Sequence, residues 1–335
     1  MGTWVKSKRS IFCFCIGIVG LSILFSLVSA SNVFAQQKIK IGVILQDKIS
    51  IFQDSFKGFK ATLAKAGYGE DKVEYIVNIV NNDMTKVKDL VDSYRAQGAK
   101  LIHSSGTGTT LEILKNEKSI PVVFSIVAYK ESLDGAAKKF GFGNNYTGAL
   151  SSTSTHKLID LALKVKKDIK KVGMIYDVNA DNSRREKDSM EAGCQKYGIS
   201  FVALPFTLKE EIVPKFKEMI SQGVDTVFIP KDSSQQAQND KIAPIIYENN
   251  VLSLTTVEGT VKQAGAVVGI SAASVKIGEL AGEKAIAVLN GAKPSDIEIE
   301  MLKNFTIWVN MIAAKNSGID VPVAMVNLAD QVITK

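Results

Sequence analysis

From Lys38 onward, short apolar runs alternate with stretches whose apolar residues recur every three or four positions. KIKIGVIL ends at Gln46-Asp47 and predicts a first strand. Phe52, Phe56, Phe59 and Leu63 then share one helical face, with Ser50-Ile51-Phe52-Gln53 reading as a capping box and Gly67 as the stop. VEYIVNI predicts a strand, and Asp83 to Gln97 a helix that turns Val87, Leu90, Val91 and Tyr94 inward before Gly98. KLIHSSGTGTTL reads as a strand, a glycine turn and a helix to about Lys118. PVVFSIV is a strand that opens on Pro121, where a missing N–H is tolerated. Tyr129 to Gly148 looks looser and marks a change of domain.

The alternation then restarts. A helix is expected from about Ser154 to Lys166, followed by strand KKVGMIY, loop Asp177 to Asn182, and a helix through Met190 to Tyr197. Next come strand ISFVAL, helix Lys209 to Gln222, strand VDTVFIP, and loop Lys231-Asp232-Ser233 leading into a helix to Asn249. VLSLTT, loop Val257 to Thr260, AVVGI and helix Val275 to Leu289 follow. That helix has a small-residue face (Gly278, Ala281, Gly282, Ala285) suited to close packing on a sheet. FTIWVN is the last predicted strand, before a short helix and a tail. Two arrays of alternating strands and helices imply an α/β fold of two similar Rossmann-like lobes with parallel sheets. Ligands of such sheets bind beyond the carboxyl ends of the strands. One cleft would therefore gather Gln46-Asp47, Ser104 to Thr110, Ser125 to Ala128, Asp177 to Ser183, Lys231 to Ser233 and Val257-Glu258.

The first 35 residues stand apart from this pattern. Lys6, Lys8 and Arg9 precede an apolar run from Ile11 to Val28, and Val33-Phe34-Ala35 supplies small residues at a cleavage site. These features predict a secretory signal peptide cut after Ala35 rather than after Ala30; the alternative is an uncleaved anchor. Its removal takes three basic side chains and lowers the formal net charge from +7 to +4. The remaining basic residues are scattered among acids, which gives no support to nucleic-acid binding. Cys13 and Cys15 leave with the signal segment, neither in a lipoprotein-type box, and Cys194 has no partner for a disulfide.

The glycine turn after KLIHSS could be a phosphate cradle, a grip for a small carboxylate, or an ordinary turn. Dinucleotide binding needs a third glycine where Leu111 stands, and an acid after the next strand, where none occurs before Glu131. There is no P-loop and no G-x-S-x-G elbow. The two histidines, His103 and His156, lack metal-ligand or triad spacing, so neither catalysis nor a cofactor is expected.

The stretches IPVVFSIV, NNYTGAL, KKVGMIYDVNADNS, VDTVFIPKDSS and GELAGEKAIAVLNGAKPSDIEIE, in this order and spacing, resemble the type I solute-binding proteins of ABC transporters. The resemblance is specifically to the branch whose better understood members bind aromatic amino acids. The resemblance spans KIKIGVIL to GIDVP and implies the type I periplasmic binding protein fold, with lobes joined by a three-crossover hinge. One lobe would comprise residues 36–150 plus about 274–303, and the other 151–273 plus about 304–335. It further implies an exported, periplasmic, monomeric protein that closes on a small solute, an amino acid or related zwitterion, and delivers it to a membrane permease. A ligand-sensing module for a membrane receptor is the alternative, and an exported enzyme a remoter one.

For the site, the resemblance places Ser105, Gly106 and Thr107 at the ligand carboxylate, Asn182 and Ser183 in the second lobe, and Asp232 and Glu258 near an ammonium. Gln46 and Ser125, at strand ends facing the same cleft, complete the expected set. The chain departs from the family at Lys231, where a small hydroxyl is usual, and at Ser233, where Asn is common. Ile126-Val127-Ala128 also replaces an Asp-Pro, and the Gln46 to Ser50 loop lacks a proline. A different side-chain preference, or a different ligand, is expected to follow.

Overall fold

The strands β1 (Ile39–Leu45), β2 (Val73–Ile79), β3 (Leu101–Ser105), β4 (Val122–Val127) and β5 (Tyr146–Leu150) pair in parallel, as do β6 (Lys171–Asp177), β7 (Ser200–Phe206), β8 (Thr226–Ile229), β9 (Leu252–Thr255) and β10 (Val268–Ser271). The computed structural model describes residues 1–2, 37–153 and 155–335. The expected signal segment, its cleavage site, Cys13 and Cys15 lie outside the described residues. Among the described residues, no helix is long and apolar enough to cross a membrane.

Two sheets result, with the first ordered β11-β5-β4-β3-β1-β2 and the second β13-β12-β10-β9-β8-β6-β7. Here β11 is Glu300–Met301, β12 is Thr306–Asn310 and β13 is Gln331–Ile333. Only the β10–β12 pair is antiparallel among the described pairings. Sheets covered on both faces need strands apolar on both sides, and β3 and β4 are buried at every position. The chain passes between the sheets three times: after β5, after β10 and after β11. This is the two-lobed parallel α/β architecture expected.

Helix Ser274–Leu289 lies against the first sheet's helix Ser50–Lys65, and not only against strands as its small-residue face suggested. A Cβ on Gly278 would run into the Ser55 carbonyl, and one on Gly58 into the Val275 carbonyl. The glycines on both helices let the two backbones meet directly. Ile277, Ala281 and Ala285 beside this seam join Phe52, Phe59 and Leu63 in one core.

Several local expectations fail for identifiable reasons. Ser50 is the first helical residue rather than the cap; Ile49 holds the cap position, and no side chain closes it. The segment taken as loose contains helix Lys130–Phe140 and strand β5, which remains in the first sheet. Only Ser132 and Leu133 of that helix are buried, so it carries little apolar periodicity. Helix Glu258–Ala264 replaces a predicted loop, and the C-terminal tail folds into helix Val323–Leu328 and edge strand β13.

Candidate functional site

In both sheets the strand order reverses at the first strand, between β1 and β3 and between β6 and β8, so the loops after these strands form the crevice that such sheets offer to ligands. Two spaces open there. A solvent-open cleft of about 790 Å³ is lined by residues of both lobes, including Asn82, Leu111, Asp177, Asp181 and Asp232. Sharing part of its lining is a smaller, somewhat less open cavity of about 20 Å³, bordered by Ile51, Phe52, Ile126, Ala128, Ser151 and Lys231. The smaller space is the better candidate for a specific contact, because it is the less open of the two and combines an apolar wall with convergent polar groups.

Of the nine expected site residues, Gln46, Thr107 and Asn182 border both spaces. Gln46 Oε1 accepts from the Gly108 N–H (2.9 Å), and its Nε2 donates to Ser233 Oγ (3.0 Å) and Asn82 Oδ1 (3.2 Å). Thr107 Oγ1 accepts from the Ala128 N–H (3.1 Å), and Asn182 Nδ2 donates to the Lys231 carbonyl (2.8 Å). Asp232 borders the open cleft alone. It caps helix Ser233–Gln236 by accepting from the Gln235 N–H (2.9 Å).

The other five border neither space. The Gly106 N–H, expected to face a carboxylate, donates to the Ser125 carbonyl (3.1 Å). Gly106 holds a φ of 123°, open to glycine alone, and a Cβ there would press on Gln46. Ser105 and Ser125 are bonded to each other (3.2 Å) inside a buried chain with Ser55 and His103. Ser183 Oγ accepts from the Asp177 N–H (3.0 Å) and so shapes the β6 loop. Glu258 pairs with Lys262 (2.5 Å) on its own helix.

Buried charge is concentrated at and around the small cavity. Lys231 Nζ donates to the Ser151 carbonyl (2.6 Å) and to Thr153 Oγ1 (2.9 Å), both on the first crossover. Desolvation pulls the pKa of this ammonium down to about 8, against the opposing pull of Glu186. The Glu186 carboxylate accepts from the Lys231 backbone N–H (2.5 Å) and Thr256 Oγ1 (3.2 Å), and burial raises its pKa. Burial, with Asp177 and Glu186 nearby, pushes Asp232 up to about 7. His103, stacked on Phe59 with ring centres 3.9 Å apart, is held neutral, its pKa driven by burial to about 3.

Sequence alone placed Lys231 in a cleft-facing loop and marked it as a departure, and gave no signal for Ser151 or Glu186. It also gave none for the bonds that tie the lobes together. Ser233 Oγ donates to Asn82 Oδ1 (2.5 Å), Ser132 bonds Asp181, and Arg185 Nη2 donates to the Glu131 carbonyl (3.3 Å). Ile126, where the family's Asp-Pro is replaced, adopts a φ of 56° beside a break in the β4–β5 register. That conformation is costly for a β-branched residue, and it carries the Ile126 side chain to the cavity wall.

A family model described as ABC transporter substrate binding protein matches residues 38–333. A curated protein named tyrosine-binding protein, from Clostridioides difficile (strain R20291), is 24% identical over 317 residues, covering 91% of each chain. Among solved structures, an ABC domain in complex with L-Trp from Streptococcus pneumonia superposes with a TM-score of 0.81 at 22% identity, covering 88% of this chain and all of that one. The ligand-free, open structure of a substrate binding protein with adhesive properties from Clostridium difficile gives a TM-score of 0.65 at 22% identity, covering 89% of this chain and all of that one.

Proposed function

Since the chain belongs to the ABC transporter substrate-binding protein family, we propose that it is the extracytoplasmic capture component of an ABC importer. It would take up an amino acid or related zwitterion between its lobes, deliver it to a membrane permease, and catalyse nothing. The observation that carries this is the set of bonds spanning the cleft around a shared cavity. Ser233 of the second lobe holds Gln46 and Asn82 of the first, and Lys231 reaches the crossover at Ser151 and Thr153. The small cavity has room for about one water. A solute of amino-acid size therefore enters only if the lobes part, and its contacts with both favour their return. Names given to relatives, one binding tyrosine and one holding L-Trp, support an aromatic amino acid, as does Phe52 on the cavity wall.

A thermal-shift screen of the purified protein against amino acids, sugars and small carboxylates tests this. At a ligand concentration a hundredfold above Kd, stabilisation is about 2.7 kcal/mol. The largest shift is expected from an α-amino acid with an apolar side chain. A sugar as best ligand, or turnover of any bound solute, would overturn the proposal. Closure has its own test. Ser233→Ala removes two bonds across the cleft, each worth about 1 kcal/mol. Small-angle scattering of that variant without added solute should show a larger radius of gyration than the parent; an equal radius would count against a hinge biased by Ser233.

A further inference from the structure

Lys231 presents a buried ammonium with too few partners. It makes two hydrogen bonds, both to neutral oxygens, whereas an ammonium has three N–H groups to place. The carboxylate that acts on it electrostatically, that of Glu186, makes its hydrogen bonds to the Lys231 backbone N–H and to Thr256 and none to the ammonium. Beside Lys231 on the same cavity wall, Ser151 is 2% exposed, and its hydroxyl has no hydrogen-bond partner. Thr107 borders the same cavity; its hydroxyl oxygen accepts from the Ala128 N–H, which leaves its own O–H to donate. Among the described residues bordering this cavity, Lys231 carries the only charge and no carboxylate is present. The rest of the wall includes Phe52 and Ile126, both buried.

We propose that the small cavity beside Lys231 is a carboxylate site, and that the solute it selects is an apolar-bodied carboxylic acid whose α-amine is dispensable. The inference rests on the capture function above and names which pole of the solute is recognised. A carboxylate there has the donors of Lys231, Ser151 and Thr107 around it, and adds a negative partner to an ammonium whose desolvation Glu186 offsets only in part. An ammonium in the same place would meet a like charge and only neutral acceptors. The first-lobe turn expected to hold the carboxylate has already committed the Gly106 and Gly108 N–H groups to Ser125 and Gln46. The anionic pole therefore sits against the second lobe and the crossover, and the apolar body against Phe52 and Ile126.

Calorimetric titration of the purified protein at pH 7 with two matched series tests this: phenylalanine, 3-phenylpropanoate and 2-phenylethylamine, then leucine, 4-methylpentanoate and 3-methylbutylamine. In the preferred series the amine-free acid should bind within about fivefold of the amino acid, and the amine should be at least about a hundredfold weaker. Lys231→Met should weaken the acid at least about twentyfold and Lys231→Arg less than about fivefold, the scale of one charged hydrogen bond. Ser151→Ala, which removes an unbonded hydroxyl without disturbing the carbonyl that holds Lys231, should weaken the acid about three- to tenfold and remains informative if Lys231→Met does not fold. Acids that fail where the amino acids bind, amines that bind as well as acids, or undiminished acid binding by a folded Lys231→Met protein would each overturn the carboxylate site while leaving solute capture intact. If neither series binds but another solute in the screen does, the carboxylate site falls with the amino-acid assignment. If nothing in the screen binds, the capture function falls and takes this inference with it.

Discussion

Gly278→Ala will destabilise the protein by about 2–3 kcal/mol, even though alanine is the better helix former by about 1 kcal/mol. Propensity and packing oppose each other here, and the geometry decides between them. A methyl at Gly278 is directed at the backbone of Ser55, its carbonyl oxygen, carbonyl carbon and Cα. A backbone cannot rotate aside as a side chain can, so helices Ser50–Lys65 and Ser274–Leu289 must separate and lose contact along the whole seam. Gly135 supplies the control. It sits exposed in helix Lys130–Phe140 with nothing within 4 Å of where a Cβ would lie. There the same substitution should stabilise by about 0.5–1 kcal/mol. Urea denaturation of both variants reads the contrast directly, and equal signs would refute it.

Asp232→Asn will stabilise the protein at pH 8 and lose that advantage at pH 4. The Asp232 pKa is raised from 3.8 to about 7, first by burial and then by Asp177 and Glu186, against the Gln235 N–H and Ser183 hydroxyl that favour the charged form. The folded state therefore keeps a proton that the unfolded chain releases. The stability this gives is fully present below pH 3.8 and is lost as the pH rises through about 7. At 1.36 kcal/mol per unit, the window holds up to about 4 kcal/mol. Asparagine keeps the oxygen that accepts from Gln235, so the helix cap survives and the titration disappears. Unfolding free energies of parent and variant, measured at intervals from pH 4 to pH 8, should diverge over that range. A constant difference would mean that Asp232 is ionised throughout.

What the sequence disclosed about this fold follows from where apolar residues are compelled to sit. Strands β2, β3 and β4 and the stripe of Phe52, Phe59 and Leu63 were legible because burial on a sheet or on one helical face leaves a period. Helix Lys130–Phe140, with two buried residues, leaves none, and β13 is too short and too exposed to show one. The cleft was legible as a set of strand-end loops, and Gln46, Thr107, Asn182 and Asp232 do border it. The direction of each side chain within those loops was not. Whether Ser105 faces solvent or Ser125, or whether Ser183 caps a loop or meets a solute, depends on partners brought together from other parts of the chain. Lys231 shows the limit most clearly. Its identity marked it as unusual, but its bonds to Ser151 and Thr153 come from 80 and 78 residues away.

The glycine seam has a further consequence, for the order in which the molecule can be made. Helix Ser50–Lys65 leaves the ribosome early, yet the surface that covers it belongs to a helix beginning at Ser274, and β11 joins the same sheet later still. Until those residues emerge, the first lobe exposes the buried faces of Phe59 and Leu63 and the open edge of β5. Contacts closed over about 200 residues of intervening chain are slow to form. The first lobe, begun first, thus stays unfinished until most of the chain has emerged, and a fragment ending at the first crossover will be an unfinished, association-prone chain rather than half of a binding protein.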